Sequence, residues 1–344
     1  MERSPIAPVD GDPSSTIRLP RGVRDLLPEA AAERRAITKS FIGEFERWGY
    51  RRIITPGFEY EAVLARGLGR AARERTVRFV EPSTGEVVAL RPDITPQVAR
   101  VVATRLAHEA GPLRLAYHGT VVRLGDDGPR ELFQSGIELV GEGAPEGDVE
   151  VLALAGAALD AAGIRAWKID LAEIAIARAA LAGLDAEVTR AVGRKDREAV
   201  ARHAHGLPAR RRALVERLPS LYGGPEVLDA AGALLDGETE RAALAALAEV
   251  VKQLVKRDAR WADRLSIDLG EVRGFDYYTG LRFSGYAPGV GDAVLSGGRY
   301  DHLIERYASD GRSRPAAGFA VDIERASEAL DRGAASLVTS APVE

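Results

Sequence analysis

Apolar positions recur at near-helical spacing through residues 29–48, where Ala32, Ala36, Ile37, Phe41 and Phe45 fall along one side before Gly49 stops the run. Arg51 to Ile54 reads as a strand ending at Pro56, Glu86 to Leu90 as another strand, and Pro92 to Ala110 as a helix that opens Pro-Asp-Ile-Thr-Pro. The stretch VVRLGDDGPRELFQSGIELVG, Val121 to Gly141, reads as two strands joined by a very short turn. An Ala/Leu-rich helix follows over 148–162, and the alternation of Trp167, Ile169 and Leu171 predicts a further strand. From Asp185 to Trp261 the pattern becomes Ala, Leu, Arg and Glu rich, broken at Gly206-Leu207-Pro208 and Gly223-Gly224-Pro225, as expected of helices. Strand signals return at Leu265–Leu269, Tyr277–Phe283 and Ala293–Ser296, and a final helix is expected after Gly318. The pattern predicts an α+β fold, an antiparallel sheet flanked by helices with a helical insertion. Its expected parts are a core over 17–184 and 262–330, the insertion over 185–261, and tails at 1–16 and 331–344.

With 344 residues, 46% of them hydrophobic, the chain can bury a large core. A formal net charge of −4 and a pI near 5.9 give no global reason to expect nucleic acid or an anionic membrane as partner. Cysteine is absent, which excludes disulfides and thiolate chemistry. No apolar run approaches the roughly 20 residues that span a bilayer, and a cytoplasmic location is expected. His203 and His205 do not have the spacing that presents two ligands on one helix face, so no metal site is expected. Residues 190–217 carry nine Lys/Arg against three Asp/Glu, a stretch that reads as a solvated helix face or as a contact for RNA or an acidic surface.

Four polar clusters fall at strand ends and turns. In Leu90–Thr95, Asp93 and Thr95 stand at a strand-to-helix junction, where they could serve the free N–H groups of a helix start. In the quoted hairpin, Gln134, Gly136 and Glu138 share one face of a strand and Phe133, Ser135, Ile137 and Leu139 the other. Two polar posts flanking bare backbone suit either a small ligand lying on the sheet or a plain solvated face. Arg273, Tyr277 and Tyr278 in Glu271–Phe283 supply a cation and two phenols, a wall for a ring or an amino group or else core aromatics. In the last cluster Gly297-Gly298 allow close backbone approach, and Gly318 is expected to open a helix whose start could face an anion. Neither glycine group matches a phosphate loop or a dinucleotide fingerprint.

Taken in order, PRGVRDLLP, Pro56, LRPDIT, VVR…ELFQSGIELVG, RGFDYYTG, GGRYDHL and GFAVDIER resemble the catalytic core of histidyl-tRNA synthetase, a class II aminoacyl-tRNA synthetase, over about residues 18–328. Four departures stand out. Arg123 is followed by Leu124 and Gly125, where the synthetase has a glutamate, and the loop after it is cut to GDDGP. Asp322 replaces a glycine beside the adenine pocket, and the sequence ends soon after Arg325, where the synthetase continues into an anticodon-binding domain. This combination resembles the ATP phosphoribosyltransferase regulatory subunit family of histidine biosynthesis. The resemblance implies a non-catalytic protein without a cofactor, which acts with the short-form catalytic subunit that condenses ATP with phosphoribosyl pyrophosphate. It would support that subunit's activity and its feedback inhibition by histidine.

By the same resemblance, histidine would be held by Asp93, Thr95, Arg123, Gln134, Glu138, Arg273, Tyr277 and Tyr278. Asp93, Gln134 and Tyr277 would take the ammonium, while Glu138 and Tyr278 would address the imidazole. Pro56 marks the surface where that family forms its homodimer, here the core of a hetero-oligomer. The rival expectations are a truncated synthetase-like enzyme that activates an amino acid with ATP, supported by Arg123, Arg273 and Arg325, and an RNA-binding module using residues 190–217.

Overall fold

The structure, a computed structural model, describes residues 18–125, 128–273 and 277–330. The expected tails, two residues of the GDDGP turn and residues 274–276 of RGFDYYTG lie outside the described residues. The strands are β1 (Arg51–Arg52), β2 (Phe58–Tyr60), β3 (Arg78–Val80), β4 (Val87–Leu90), β5 (Leu113–Val122) and β6 (Glu131–Val140), followed by β7 (Lys168–Glu173), β8 (Tyr222–Gly223), β9 (Leu265–Asp268), β10 (Leu281–Tyr286), β11 (Leu295–Arg299) and β12 (Ala316–Asp322). Nine of them form one sheet in the order β1-β5-β6-β12-β11-β10-β7-β9-β8, and β2-β4-β3 form a second.

The large sheet is antiparallel through its centre, but β1 pairs with β5 and β7 with β9 in parallel. The expected sheet is therefore mixed at both ends. The reason is the length of the connections: residues 53–112 separate β1 from β5, and the helical stretch after β7 separates it from β9. Such crossovers permit parallel pairing, which a tight hairpin forbids. The hairpin of β5 and β6 pairs in register from Leu113↔Val140 to Val122↔Glu131. Most of β6 is buried on both faces, as a central strand must be.

Alternation on β6 sorts the two faces. Ile137 and Leu139 point toward the helices α1 (Pro28–Arg47) and α5 (Glu146–Ala161), where they join Phe41, Phe45, Leu152, Phe283 and Phe319 in the main core. Helix α1 starts with a proline in its first turn, carries Glu29 there and Arg47 in its last, in keeping with the helix dipole. Its Phe45 meets Phe319 edge to face, with ring centroids 5.7 Å apart. Helix α5 is buried nearly all round, which explains why its pattern lacks a polar stripe. The opposite face of the sheet packs under Ile94 and Val98 and under Tyr300, Leu303 and Ile304, a second core cluster that includes Leu115 and Tyr117.

The small sheet carries α2 (Glu61–Leu64) and α3 (Arg70–Glu74) beside it, and α4 (Thr95–Thr104) lies over the large sheet. The helix expected over 92–110 is shorter because Pro96 sits in its first turn and leaves Pro92 and Asp93 in the approach. After β7 come α6 (Ile174–Leu181), α7 (Ala186–Gly193), α8 (Arg197–Ala204), α9 (Ala209–Arg217), α10 (Glu226–Gly232), α11 (Glu238–Arg257) and α12 (Trp261–Arg264). Their apolar side chains, among them Val192, Leu214, Val227 and Leu247, belong to the same cluster as the sheet. β8, which the sequence pattern does not predict, adds a two-residue edge to β9.

Two boundaries differ from the sequence reading. The strand expected at Tyr277 begins only at Leu281, so both tyrosines lie on the segment entering it. Gly318 does not open a helix. It sits in the middle of β12, where Ala317, Phe319 and Val321 alternate toward the main core, and the final helix runs over 323–330. The two-residue period of those apolar side chains decides the strand.

Candidate functional site

On the face opposite α1 and α5, β6, β11 and β12 form the floor of a cavity of ≈ 190 Å³. Asp93, Thr95, Arg123, Gln134, Glu138, Tyr277 and Tyr278 line it, so seven of the eight residues singled out in the sequence converge there. Arg273 is not among them. Its guanidinium is mostly exposed and forms an ion pair at 2.6 Å with the buried Glu271, which also binds Arg282. A carboxylate only two residues away claims the arginine before the cavity can.

Glu138 is the most deeply buried polar group of the site. It accepts a hydrogen bond from Thr95 Oγ1 at 2.6 Å and another from the Tyr300 hydroxyl. Burial pushes its pKa up to about 8, against the lowering effect of these donors. Thr95 is the first residue of α4, yet its hydroxyl serves this carboxyl rather than the helix start. Asp93 Oδ1 accepts from the N–H of Ile94 at 2.8 Å, and the residue lines the cavity.

Two glycines make this packing possible. A Cβ on Gly318 would lie 1.9 Å from Glu138 Oε2, so only glycine lets the carboxyl rest across β12. A Cβ on Gly136 would lie 2.5 Å from the Tyr117 hydroxyl. The bare backbone between Gln134 and Glu138 is therefore covered by the ring of Tyr117, its partner across β5, and is not left open for a ligand. The two polar posts are real, but the space between them belongs to the protein. Gln134 keeps a buried side-chain oxygen without a hydrogen-bond partner among the described residues, an acceptor available to an N–H donor in the cavity.

Tyr277 and Tyr278 stack with centroids 4.4 Å apart, and Tyr277 meets Tyr300 edge-on at 6.1 Å. Burial pushes both hydroxyls above the ordinary tyrosine range, so they act as neutral donors and acceptors. Arg123 Nε donates to the carbonyl of Pro92 at 2.6 Å, which anchors the arginine at the rim next to Asp93. Tyr300 completes the set. It lies in GGRYDHL, but nothing in its local pattern marks it as polar-site rather than core.

At the far end of the cavity, Asp322 and Arg325 face each other. Asp322 Oδ1 accepts from the Arg325 N–H at 3.1 Å and thereby caps the final helix. The guanidinium of Arg325 pairs with Asp292 at 2.7 Å, approaches Asp322 at 3.5 Å and donates to the carbonyl of Ala293 at 2.9 Å. Its charge is thus spent within the protein. The lining sets Asp93 and Asp322 against Arg123 and Arg325, with Glu138 held mostly as the uncharged acid, and its oxygen acceptors suit a small group bearing an amine or other N–H donors.

Comparison with known proteins agrees with this geometry. Residues 22–326 match the family described as histidyl-tRNA synthetase. An ATP phosphoribosyltransferase regulatory subunit of Geobacter sulfurreducens is 42% identical over 340 residues, covering 96% of this chain and 75% of that protein. A crystal structure described as an ATP phosphoribosyltransferase regulatory subunit/histidyl-tRNA synthetase from Bacillus halodurans superposes with a TM-score of 0.83 at 31% identity, over 92% of this chain and 84% of that one. A histidine–tRNA ligase subunit from Alicyclobacillus acidocaldarius gives 0.78 at 29% identity, over 93% and 99%. Seven converging polar residues on a helix-flanked mixed sheet, and this degree of likeness along nearly the whole chain, place the protein in the histidyl-tRNA synthetase-like family of ATP phosphoribosyltransferase regulatory subunits.

Proposed function

We infer that this chain is a non-catalytic subunit that binds histidine in the cavity over β6 and works by assembling with an ATP phosphoribosyltransferase catalytic subunit of the short form. It would be required for that subunit's activity and would carry its feedback inhibition by histidine. The observation that carries this reading is the state of Arg325. An arginine that is to hold a nucleotide phosphate must present an unpaired guanidinium, whereas this one is held by Asp292, Asp322 and Ala293. Asp322 also sets a carboxylate on the cavity wall, which repels a polyphosphate. The amino-acid end of the cavity keeps its acids, amide and phenols, so recognition is supported where nucleotide chemistry is not.

Asp93 and Gln134 offer acceptors to an ammonium, and Glu138 offers an oxygen to an imidazole N–H from beneath. Regulation is then a coupling free energy: histidine acts only as far as it favours one arrangement of the complex over another. Self-association is also proposed, through the surface around Pro56.

Reconstitution tests the function. Mixed with a short-form catalytic subunit, the chain is expected to raise phosphoribosyl transfer and to make it sensitive to histidine. Histidine-dependent exchange of pyrophosphate into ATP by the isolated chain would instead establish the synthetase-like enzyme and sink this reading.

A further inference from the structure

On the helical side of the sheet, away from the cavity just described, the ends of α1 and α11 meet α5 and α12 around a second cavity of ≈ 390 Å³. The chain has three tryptophans, and all of them line it: Trp48, Trp167 and Trp261. Small residues of α5, including Ala153, Gly156 and Ala157, form its floor. Gly156 is obligatory there, since a Cβ would lie 2.9 Å from the rings of both Trp167 and Trp261. Those two rings meet edge to face at 5.0 Å. The small side chains of α5 offer a flat ring an apolar floor, bordered by the edges of the indoles.

The charges around this cavity do not cancel. Five arginines line it against three acids, Glu44, Asp160 and Asp258. The acids are already engaged. Glu44 pairs with Arg47 and accepts from the Trp48 indole at 2.9 Å. Asp160 accepts from the Trp167 indole at 2.9 Å and pairs with Arg260, which also binds Asp258 at 2.8 Å. Arg165, Arg257 and Arg264 have no ion pair among the described residues. Arg257 lies over the Trp48 ring at 5.0 Å and Arg264 over Trp167 at 4.2 Å. Arg264 donates to the carbonyl of Arg165 at 2.8 Å, while its Nη1 is buried without a hydrogen-bond partner. A buried guanidinium nitrogen with an unused N–H is costly unless an acceptor arrives.

We propose that this cavity is a binding site for a small aromatic anion of mononucleotide size, with its ring on the floor of α5 among the indole edges and its phosphate on Arg257 and Arg264. The site is distinct from the amino-acid cavity, and the inference does not depend on the function proposed above. Because every tryptophan lines it, tryptophan emission excited selectively over tyrosine reports on this cavity.

The full chain is titrated with adenosine monophosphate, and in parallel with inorganic phosphate and with adenosine. The nucleotide is expected to change the tryptophan emission saturably, with half-saturation below roughly 1 mM. Phosphate and adenosine alone should each bind at least about tenfold more weakly, since each satisfies half of the site. R264Q and R257Q should each weaken the nucleotide by roughly tenfold. Arg257 is exposed and unpaired, so R257Q is expected to keep the fold even if R264Q disturbs the packing on Trp167. No saturable change up to roughly 10 mM nucleotide overturns the proposal. So does phosphate binding as tightly as the nucleotide, or R257Q binding like the unaltered chain.

Discussion

Glu138 lies beneath Thr95 and Tyr300 with its pKa pushed up to about 8, so near neutral pH it is mostly the uncharged acid. Its folded pKa stands above the ordinary 4.5, which sets the sign of its contribution to stability. That contribution is fully present below about 4.5 and is lost as pH rises through about 8. Replacing it with the neutral isostere, E138Q, should therefore leave folding intact at neutral pH and remove part of the alkaline loss. Between pH 6 and 9 the unaltered chain is expected to lose roughly 2–3 kcal/mol more than the variant, read from urea unfolding at each pH. Equal slopes for the two proteins would mean that Glu138 is charged throughout. Glu173, raised to about 7 by burial, tilts both proteins in the same direction and does not affect the difference.

The segment between β1 and β2 has only short strands to hold it, and side chains supply the rest. Arg91, at the end of β4, is buried and donates to the carbonyl of Thr55 at 2.9 Å, to its hydroxyl at 3.0 Å and to the carbonyl of Thr120 at 2.7 Å. Gln97 on α4 donates to the carbonyl of Pro56 at 2.8 Å and accepts from Thr55 Oγ1 at 2.8 Å. Together they pin the Thr55-Pro56 turn between the two sheets. R91A should cost about 3 kcal/mol in denaturant unfolding, because several buried acceptors lose a charged donor at once. A loss below about 1 kcal/mol would mean that water replaces the guanidinium and that the turn is held from elsewhere.

Beyond this turn the molecule exposes apolar side chains on one side. Ile54 is 79% exposed, and Phe58, Phe79, Val80 and Val87 of the small sheet are between 41% and 59% exposed. Phe58 and Phe79 pack edge to face at 5.8 Å, and Pro56 lies between Ile54 and Phe58 in sequence. Scattered apolar exposure is ordinary, but a cluster on one small sheet is the kind of patch that association buries. The double variant F58D/F79D is expected to shift the protein from dimer to monomer in sedimentation at micromolar concentration, with its circular dichroism unchanged. A monomeric unaltered chain would remove the surface around Pro56 from consideration as a self-association face.

The seven cavity residues were united as a set only by the resemblance to the synthetase core, whereas local pattern was enough for the α+β class, for α1 and for the β5–β6 hairpin. Each of these last rests on a period that a few neighbouring residues carry, such as alternation along β6 or helical spacing along α1. What tertiary structure alone decided involves pairs far apart in the chain. Arg273 left the cavity because Glu271 is nearer, Tyr300 entered it through Glu138, and Tyr117 filled the space over Gly136. The parallel pairings of the sheet and the two-residue β8 also depend on which strand comes to lie alongside. So does the gathering into one cavity of three tryptophans far apart in the sequence, at 48, 167 and 261. Propensity and period act over a few residues, whereas burial, charge pairing and strand neighbours are settled only when distant segments compete for the same space.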